Sequence, residues 1–217
     1  MLGQQDSRSN DPLRRATAVL RERPWARRLI SGLSVIMVLV AVGVLGYPVY
    51  TNLYQDRVQG GLSDQLATGE LEQAYRTDSV AEGDSLTRLK IPSLNVDVVV
   101  VEGTTASALR AGAGHYRDSP LPCELGNVAI AGHRTTYGKP FNQLDLMKPG
   151  HIVILETPVG SCTYTVNKDP FIVAPTDLSV LSPTPNGTLT LTTCHPKNSA
   201  AQRLIVTADL EGPAASA

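Results

Sequence analysis

The sequence has no Gly-rich loop of the kind that cradles phosphate, no acidic cluster suited to an obligatory metal, no internal repeat and no long low-complexity tract. These absences argue against nucleotide-dependent, metal-dependent and repeat-built readings, and no cofactor or metal ligand is expected. Cysteine is scarce, with only three in 217 residues (Cys123, Cys162 and Cys194). Net charge is nearly absent as well, at −1, and 42% of the residues are hydrophobic, which fits one ordinary globular domain plus an appendage.

That neutrality conceals an uneven distribution. Residues 1–28 hold seven arginines against three acidic residues, a balance of +4 that leaves −5 for the remainder. A basic terminus by itself would suit nucleic acid, but the residues after it exclude such a partner. From Leu29 to Val49 run 21 residues, none of them charged. As a helix they span about 30 Å, the hydrocarbon thickness of a bilayer. Trp25 stands near one end and Tyr47 and Tyr50 near the other, where interfacial aromatics belong.

A buried core helix and a cleaved signal peptide are the competing readings. The apolar stretch is longer than a signal-peptide core, and Tyr-Pro-Val-Tyr-Thr-Asn follows it in place of a small-residue cleavage site. The span therefore reads as an uncleaved anchor over residues 29–50, behind a cytoplasmic basic tail over 1–28. The arginines place that tail inside by the positive-inside rule. Everything beyond is expected outside the cell: a polar stalk over 51–85, a folded domain over 86–212 and a disordered tail over 213–217.

In the folded domain, short β-branched runs alternate with Gly, Pro, Asn and Asp. They are Leu86–Ile91, Val96–Val101, Asn127–His133, His151–Thr157, Thr163–Asn167, Pro170–Ala174, Thr188–Cys194 and Arg203–Leu210. Eight short strands with little helix between them predict a mainly β fold, a closed barrel or a sandwich. Short helices are expected at Gln65–Arg76, at Thr104–Ala111 and at Pro140–Met147, the last with Pro at its first position.

Cys194 ends the alternating run Thr188-Leu-Thr-Leu-Thr-Thr-Cys194, where rigid backbone meets a turn at His195-Pro196. Exported cysteines tend to oxidise in pairs, so an odd count leaves one thiol over. If Cys194 is that thiol, Cys123 and Cys162 either form a disulfide or stay reduced and buried.

Taken singly, a strand-end cysteine is an ordinary small hydrophobe, His133 a core or surface histidine, and Arg203 an exposed charge at a strand start. Together, if their three strand ends border one cleft, they supply a nucleophile, a general acid–base and a fixed cation for an oxyanion. His115, His151 and His195 are alternative bases. His195 ranks below His133, because successive strand residues point to opposite faces.

The segments Leu191-Thr-Thr-Cys-His-Pro-Lys-Asn-Ser-Ala-Ala-Gln-Arg203 and Ala129-Ile-Ala-Gly-His-Arg-Thr-Thr-Tyr-Gly138 resemble the sortases, membrane-anchored cysteine transpeptidases of Gram-positive bacteria built on an eight-stranded β-barrel. The Thr-Leu-x-Thr-Cys pattern is met at Thr190–Cys194, the Gly-His at Gly132-His133, and the last-strand Arg at Arg203. The resemblance covers roughly residues 86–210 and extends to the N-terminal anchor. His-Arg-Thr-Thr-Tyr-Gly (133–138) and Cys-His-Pro (194–196) are most similar to class E sortases of high-GC actinobacteria.

That resemblance implies that Cys194 attacks the Thr–Gly bond of a C-terminal sorting signal, of LAxTG type rather than the commoner LPxTG, to form a thioacyl enzyme. It implies that His133 handles the amine proton and that Arg203 holds the threonine carbonyl or its oxyanion. Partners would be secreted proteins bearing the signal, and a peptidoglycan precursor (lipid II-like) amine or a pilin as acceptor. Tyr116 would help choose Ala over Pro in the signal, while Thr193 either bonds substrate backbone or is a structural strand threonine. Cys123 departs from the pattern, since a glycine is expected at that place. The rival readings are a hydrolytic cysteine protease, an L,D-transpeptidase and a non-catalytic anchored binding module.

Overall fold

The uncharged stretch and the residues on either side of it form one helix, α1 (Pro24–Leu66). This is a computed structural model that describes residues 24–212; most of the basic tail and the tail after residue 212 lie outside the described residues. The chain divides at Val49/Tyr50 into two units. In the first, Leu29, Leu33, Val38, Val42 and Leu45 are exposed on every side of the helix. A helix apolar all round and buried against nothing has the character of a membrane span, and α1 is long and apolar enough for one.

The second unit is a β-barrel with a helical flank. Its strands are β1 (Ser85–Ile91), β2 (Val96–Glu102), β3 (Ala113–His115), β4 (Asn127–Ala131), β5 (Ile152–Thr157), β6 (Gly160–Val166), β7 (Phe171–Val173), β8 (Thr188–His195) and β9 (Gln202–Glu211). They pair in the order β6-β5-β1-β2-β3-β4-β8-β9, and a β6–β9 pairing closes eight strands into a ring, with β7 added on the outside of β9. The expected eight-stranded closed barrel is therefore present, but its membership differs. The short β3 completes the ring, and the run at Pro170–Ala174 supplies β7, outside it. Closure leaves no edge of the ring open to another chain.

Leu89, Val100, Val128, Ile130, Phe141, Leu144, Leu155, Tyr164, Leu189, Leu191 and Val206 fill the barrel. The expected helix at Thr104–Ala111 is α3 (Ala106–Ala111), capped by the Thr105 hydroxyl. Of the one at Pro140–Met147 only a 3₁₀ turn at Leu144–Leu146 forms, because Phe141, Leu144 and Met147 are all drawn into the core.

The segment expected as a stalk is not free of the barrel. Gln59 takes the place of a neighbouring strand beside β2: its Oε1 accepts from Val99 N at 2.7 Å and its Nε2 donates to Val99 O at 3.2 Å. Gln55 Nε2 donates to Ala111 O at 2.8 Å, and Gln65 Oε1 accepts from Ser85 N at 3.0 Å. Then α2 (Gly69–Arg76), N-capped by Thr68, buries Leu71 and Tyr75 against Val80, Leu86 and Leu121. The Tyr75 hydroxyl donates to Pro122 O at 2.6 Å.

Cys123 and Cys162 are joined as a disulfide, which ties the loop after β3 to β6. Cys123 has φ +72°, a left-handed conformation that explains why glycine belongs there.

Candidate active site

The sheet order β3-β4-β8-β9 brings four chain segments side by side. Cys194 on β8 pairs directly with Arg203 on β9. Parallel to β8, β4 pairs Ala131 with Thr192, and beyond it Gly132 N donates to Thr192 O at 3.0 Å. His133 thus leaves the sheet alongside the Cys194 end of β8. On the other flank of β4, Tyr116 N donates to Ala129 O at 2.9 Å just after β3. The three strand ends singled out in the sequence meet, and Tyr116 joins them.

Period-2 alternation sorts the residues of β8. Leu189 and Leu191 point into the core, and Thr193 follows them inward. Its hydroxyl donates to Gly132 O at 2.7 Å, and the residue is 3% exposed. Of the two readings of Thr193, the structural one is what is seen: it bolts β8 to the residue before His133. Thr190, Thr192 and Cys194 share the opposite face. Cys194 is the free cysteine and is half-buried.

Gly132 matters for a different reason. A Cβ there would lie 2.4 Å from the Phe141 ring, so only glycine lets the core ring pack beneath His133. The His133 ring also contacts Tyr137, with centroids 5.2 Å apart. Burial pushes the imidazole below its ordinary value of 6.5, and the Arg110 guanidinium pushes it the same way. Both effects favour the neutral ring, the form that can accept a proton.

The Tyr116 phenol is raised above its ordinary value, first by burial, against the pull of Arg203 and the Thr192 hydroxyl, with Cys194 also raising it. It stays protonated, near enough to Arg203, Thr192 and Cys194 to feel each of them. Arg203 Nη1 donates to Ala200 O at 3.0 Å and Gln202 O at 3.1 Å, which orients the guanidinium on its own turn.

The other histidines are elsewhere or engaged. His115 is buried with Nδ1 3.0 Å from Glu102 Oε2 and Nε2 2.9 Å from Pro120 O. His151 precedes β5, a strand that pairs with β6 and β1 and not with β4 or β8. His195 Nδ1 lies 2.8 Å from Arg134 Nη1, on the face of β8 opposite Cys194. Arg134 and Thr192 stand inside the motifs that carry the resemblance, but the sequence reading gives neither a role of its own. Thr192 was accessible to it, because it lies two residues from Cys194. Arg134 was not, because a lone arginine in a polar loop reads as solvated.

Among the described residues no group of three or more His, Cys, Asp or Glu side chains is arranged to hold a metal. A cavity of about 730 Å³ lined by Gln55, Gln59, Asn95, Asp97 and Lys139 includes none of Cys194, His133 or Arg203. The chemistry lies on the sheet face. A second cleft of about 270 Å³, between Thr190 and the loop residues Val180 and Thr184, likewise includes none of the three.

The sortase domain family matches residues 89–211, more than half of the chain. Sortase SrtE1 of Streptomyces coelicolor is 30% identical over 166 residues, which cover 70% of this chain and 46% of that protein. Sortase D of Bacillus subtilis is 37% identical over 109 residues, 50% of this chain and 53% of that protein. The chain thus spans about half the length of these curated relatives. Among solved structures, a sortase D5 transpeptidase of Clostridium perfringens superposes with a TM-score of 0.64 at 27% identity, over 73% of this chain and 98% of that one. Sortase E from Streptomyces avermitilis superposes with a TM-score of 0.56 at 35% identity, over 61% and 91%. With the eight-stranded ring and the family match agreeing over the same residues, the chain belongs to the sortase family and is similar to its class E members.

Proposed function

We propose that this chain is a membrane-anchored cysteine transpeptidase, with Cys194 as nucleophile, His133 as general acid–base and Arg203 as the oxyanion cation. The observation that carries this reading is the register of the sheet. A free, half-buried thiol is paired across β8–β9 with a guanidinium, and the strand leading to His133 lies on its other side.

The neutral His133 ring takes the Cys194 proton, and the thiolate attacks the carbonyl carbon of the signal's threonine. Negative charge gathers on that oxygen, where Arg203 meets it with N–H donors that stay charged at any physiological pH. The C–N bond to glycine then breaks as the His133 imidazolium, made more acidic by its buried site, gives its proton to the departing amine. An incoming amine attacks the thioester, His133 accepts its proton, and the C–S bond breaks to regenerate Cys194.

The substrate class is a C-terminal LAxTG-type signal on secreted proteins, with Tyr116 contacting its second residue. The acceptor is a peptidoglycan-precursor amine. Residues 29–50 cross the membrane with the arginine-rich tail inside. The class E likeness and the Tyr116 position support the signal, and the exposed, charge-free stretch of α1 over residues 29–49 supports the anchor.

The test incubates the full chain in detergent with LAxTG and LPxTG peptides and an added amine, followed by mass spectrometry. The expected result is a covalent adduct on Cys194, more product with LAxTG, and ligation that rises with amine. Cys194→Ala and His133→Ala should abolish cleavage, and Arg203→Ala should lower kcat by about 10²- to 10³-fold. Full cleavage by Cys194→Ala would overturn the covalent mechanism. Hydrolysis without ligation would favour a protease instead.

A further inference from the structure

Arg134 follows His133 in sequence yet is only 4% exposed. Its guanidinium reaches three groups. Nη2 is 3.0 Å from Asp145 Oδ1, Nη1 donates to the Cys194 carbonyl at 3.3 Å, and the same Nη1 lies 2.8 Å from His195 Nδ1. Its own carbonyl accepts from Asn142 Nδ2 at 2.7 Å. As a stability device this arrangement is poor. A buried charge is costly to desolvate, and Arg134 has one acidic partner, itself partly exposed, while its Nε has no hydrogen-bond partner. Two of its three contacts instead go to the end of β8 that carries the reacting thiol, one to the Cys194 carbonyl and one to the side chain of His195.

A guanidinium nitrogen can only donate, so the His195 Nδ1 that faces it must be the accepting, unprotonated nitrogen. We propose that Arg134 is a positioning residue: it clamps the chain after His133 to the carbonyl of Cys194, and it fixes neutral His195 as the tautomer protonated on Nε2. Two further bonds lie on the same seam, Gly132 N to Thr192 O at 3.0 Å and Thr193 Oγ1 to Gly132 O at 2.7 Å. Both tie the residue before His133 to β8, whereas among the described residues it is Arg134 that ties the residue after it to Cys194. Without that third tie the imidazole and thiol are free to separate, and a displacement of about 1 Å is enough to cost about 10²-fold in rate. The first half of this proposal rests on the assignment of Cys194 and His133 as the reacting pair. The tautomer does not.

The test uses the full chain in detergent, labelled with ¹⁵N-histidine. Its four histidines give a small set of ring signals, and His195→Gln identifies the one of interest. In the wild type, neutral His195 should show the Nε2–H pattern. In Arg134→Met the tautomers should mix, kcat for the signal peptide should fall by about 10- to 100-fold, and KM should stay within about twofold. Arg134→Lys keeps a charge beside Asp145 but cannot fork to two acceptors, so it should lose kcat as well; it carries the test if Arg134→Met does not fold. An Nδ1–H pattern in the wild type, or wild-type kcat in both variants, would overturn the proposal. So would a kcat loss that vanishes when the rate is expressed per folded molecule, with a thermal midpoint lowered to the assay temperature, as general unfolding would produce. If Cys194→Ala still cleaves peptide, the catalytic reading fails while the tautomer measurement stands on its own.

Discussion

His133 shows how one residue's surroundings set its chemistry. Burial and Arg110 both favour the uncharged ring, so the same site that makes it a ready acceptor for the thiol proton makes its imidazolium a stronger acid toward the amine. Arg110 is exposed on α3 and makes none of the bonds that hold the site, so its charge can be altered without disturbing the barrel. Arg110→Glu removes a repulsion and adds an attraction for the imidazolium, so the folded-state pKa of His133 should rise. The midpoint of the His133 ring titration by NMR, and the acidic limb of kcat/KM, should both move to higher pH. No movement, or movement downward, would mean that the Arg110 field does not reach the ring. The stability linkage has the opposite sense to that of a paired histidine. The folded value lies below the unfolded one, so the unfolded chain binds the extra proton and stability is lost as pH falls from 6.5 toward the folded value. His133→Asn should flatten that slope.

At the scale of elements, the disulfide and the conformation of Cys123 act against each other. The bridge closes a loop of 39 residues, which by chain entropy stabilises the fold by about 4 kcal/mol. A non-glycine residue at φ +72° gives back about 1–2 kcal/mol of that. Replacing both cysteines should therefore depend on what stands at 123. Cys123→Gly with Cys162→Ala should be more stable than Cys123→Ala with Cys162→Ala by about 1 kcal/mol. Both should fall below the oxidised wild type by about 2–4 kcal/mol. Urea unfolding followed by near-UV circular dichroism of the tyrosines reads the barrel, because Tyr164 and Tyr75 are buried in it and the single tryptophan lies on α1. Equal stability of the two double variants would show that residue 123 carries no backbone penalty.

The same elements show what the sequence could and could not reveal. Seven of the eight ring strands announced themselves by β-branched runs, but Ala113-Gly-His115 carries no alternation and was passed over. The Phe171–Val173 strand was found, yet nothing local says that it lies outside the ring, since pairing with β9 is a long-range choice. Residues 51–85 read as a stalk because the segment is polar with only scattered apolar residues, and only the fold shows Gln55, Gln59 and Gln65 bonding to backbone of α3 and of β2 and β1. Cys194, His133 and Arg203 were legible because each ends or opens a strand. Arg134 was hidden because its burial is decided by Asp145 and His195, distant in the chain.

For the whole molecule, three independent features bear on which side of a membrane the barrel occupies. The stretch before the apolar span holds seven arginines, and the positive-inside rule keeps such a stretch in the cytoplasm. The span itself offers only apolar surface, which water would not tolerate. A disulfide in the barrel persists where the surroundings are oxidising, which the cytoplasm is not. Together they support the proposed outward-facing barrel, the span supplying the crossing and the arginines and the disulfide its direction, and the chain carries its own reporter of it. Cys194 is the free cysteine once Cys123 and Cys162 are bonded, and it is partly open to solvent. A membrane-impermeant maleimide added to intact cells expressing the chain should label the wild type once and Cys194→Ala not at all. Lysing the cells first should not increase the wild-type signal. Labelling that appears only after lysis would place the barrel inside and reverse the orientation, and two further labels per chain would show that the bridge had not formed.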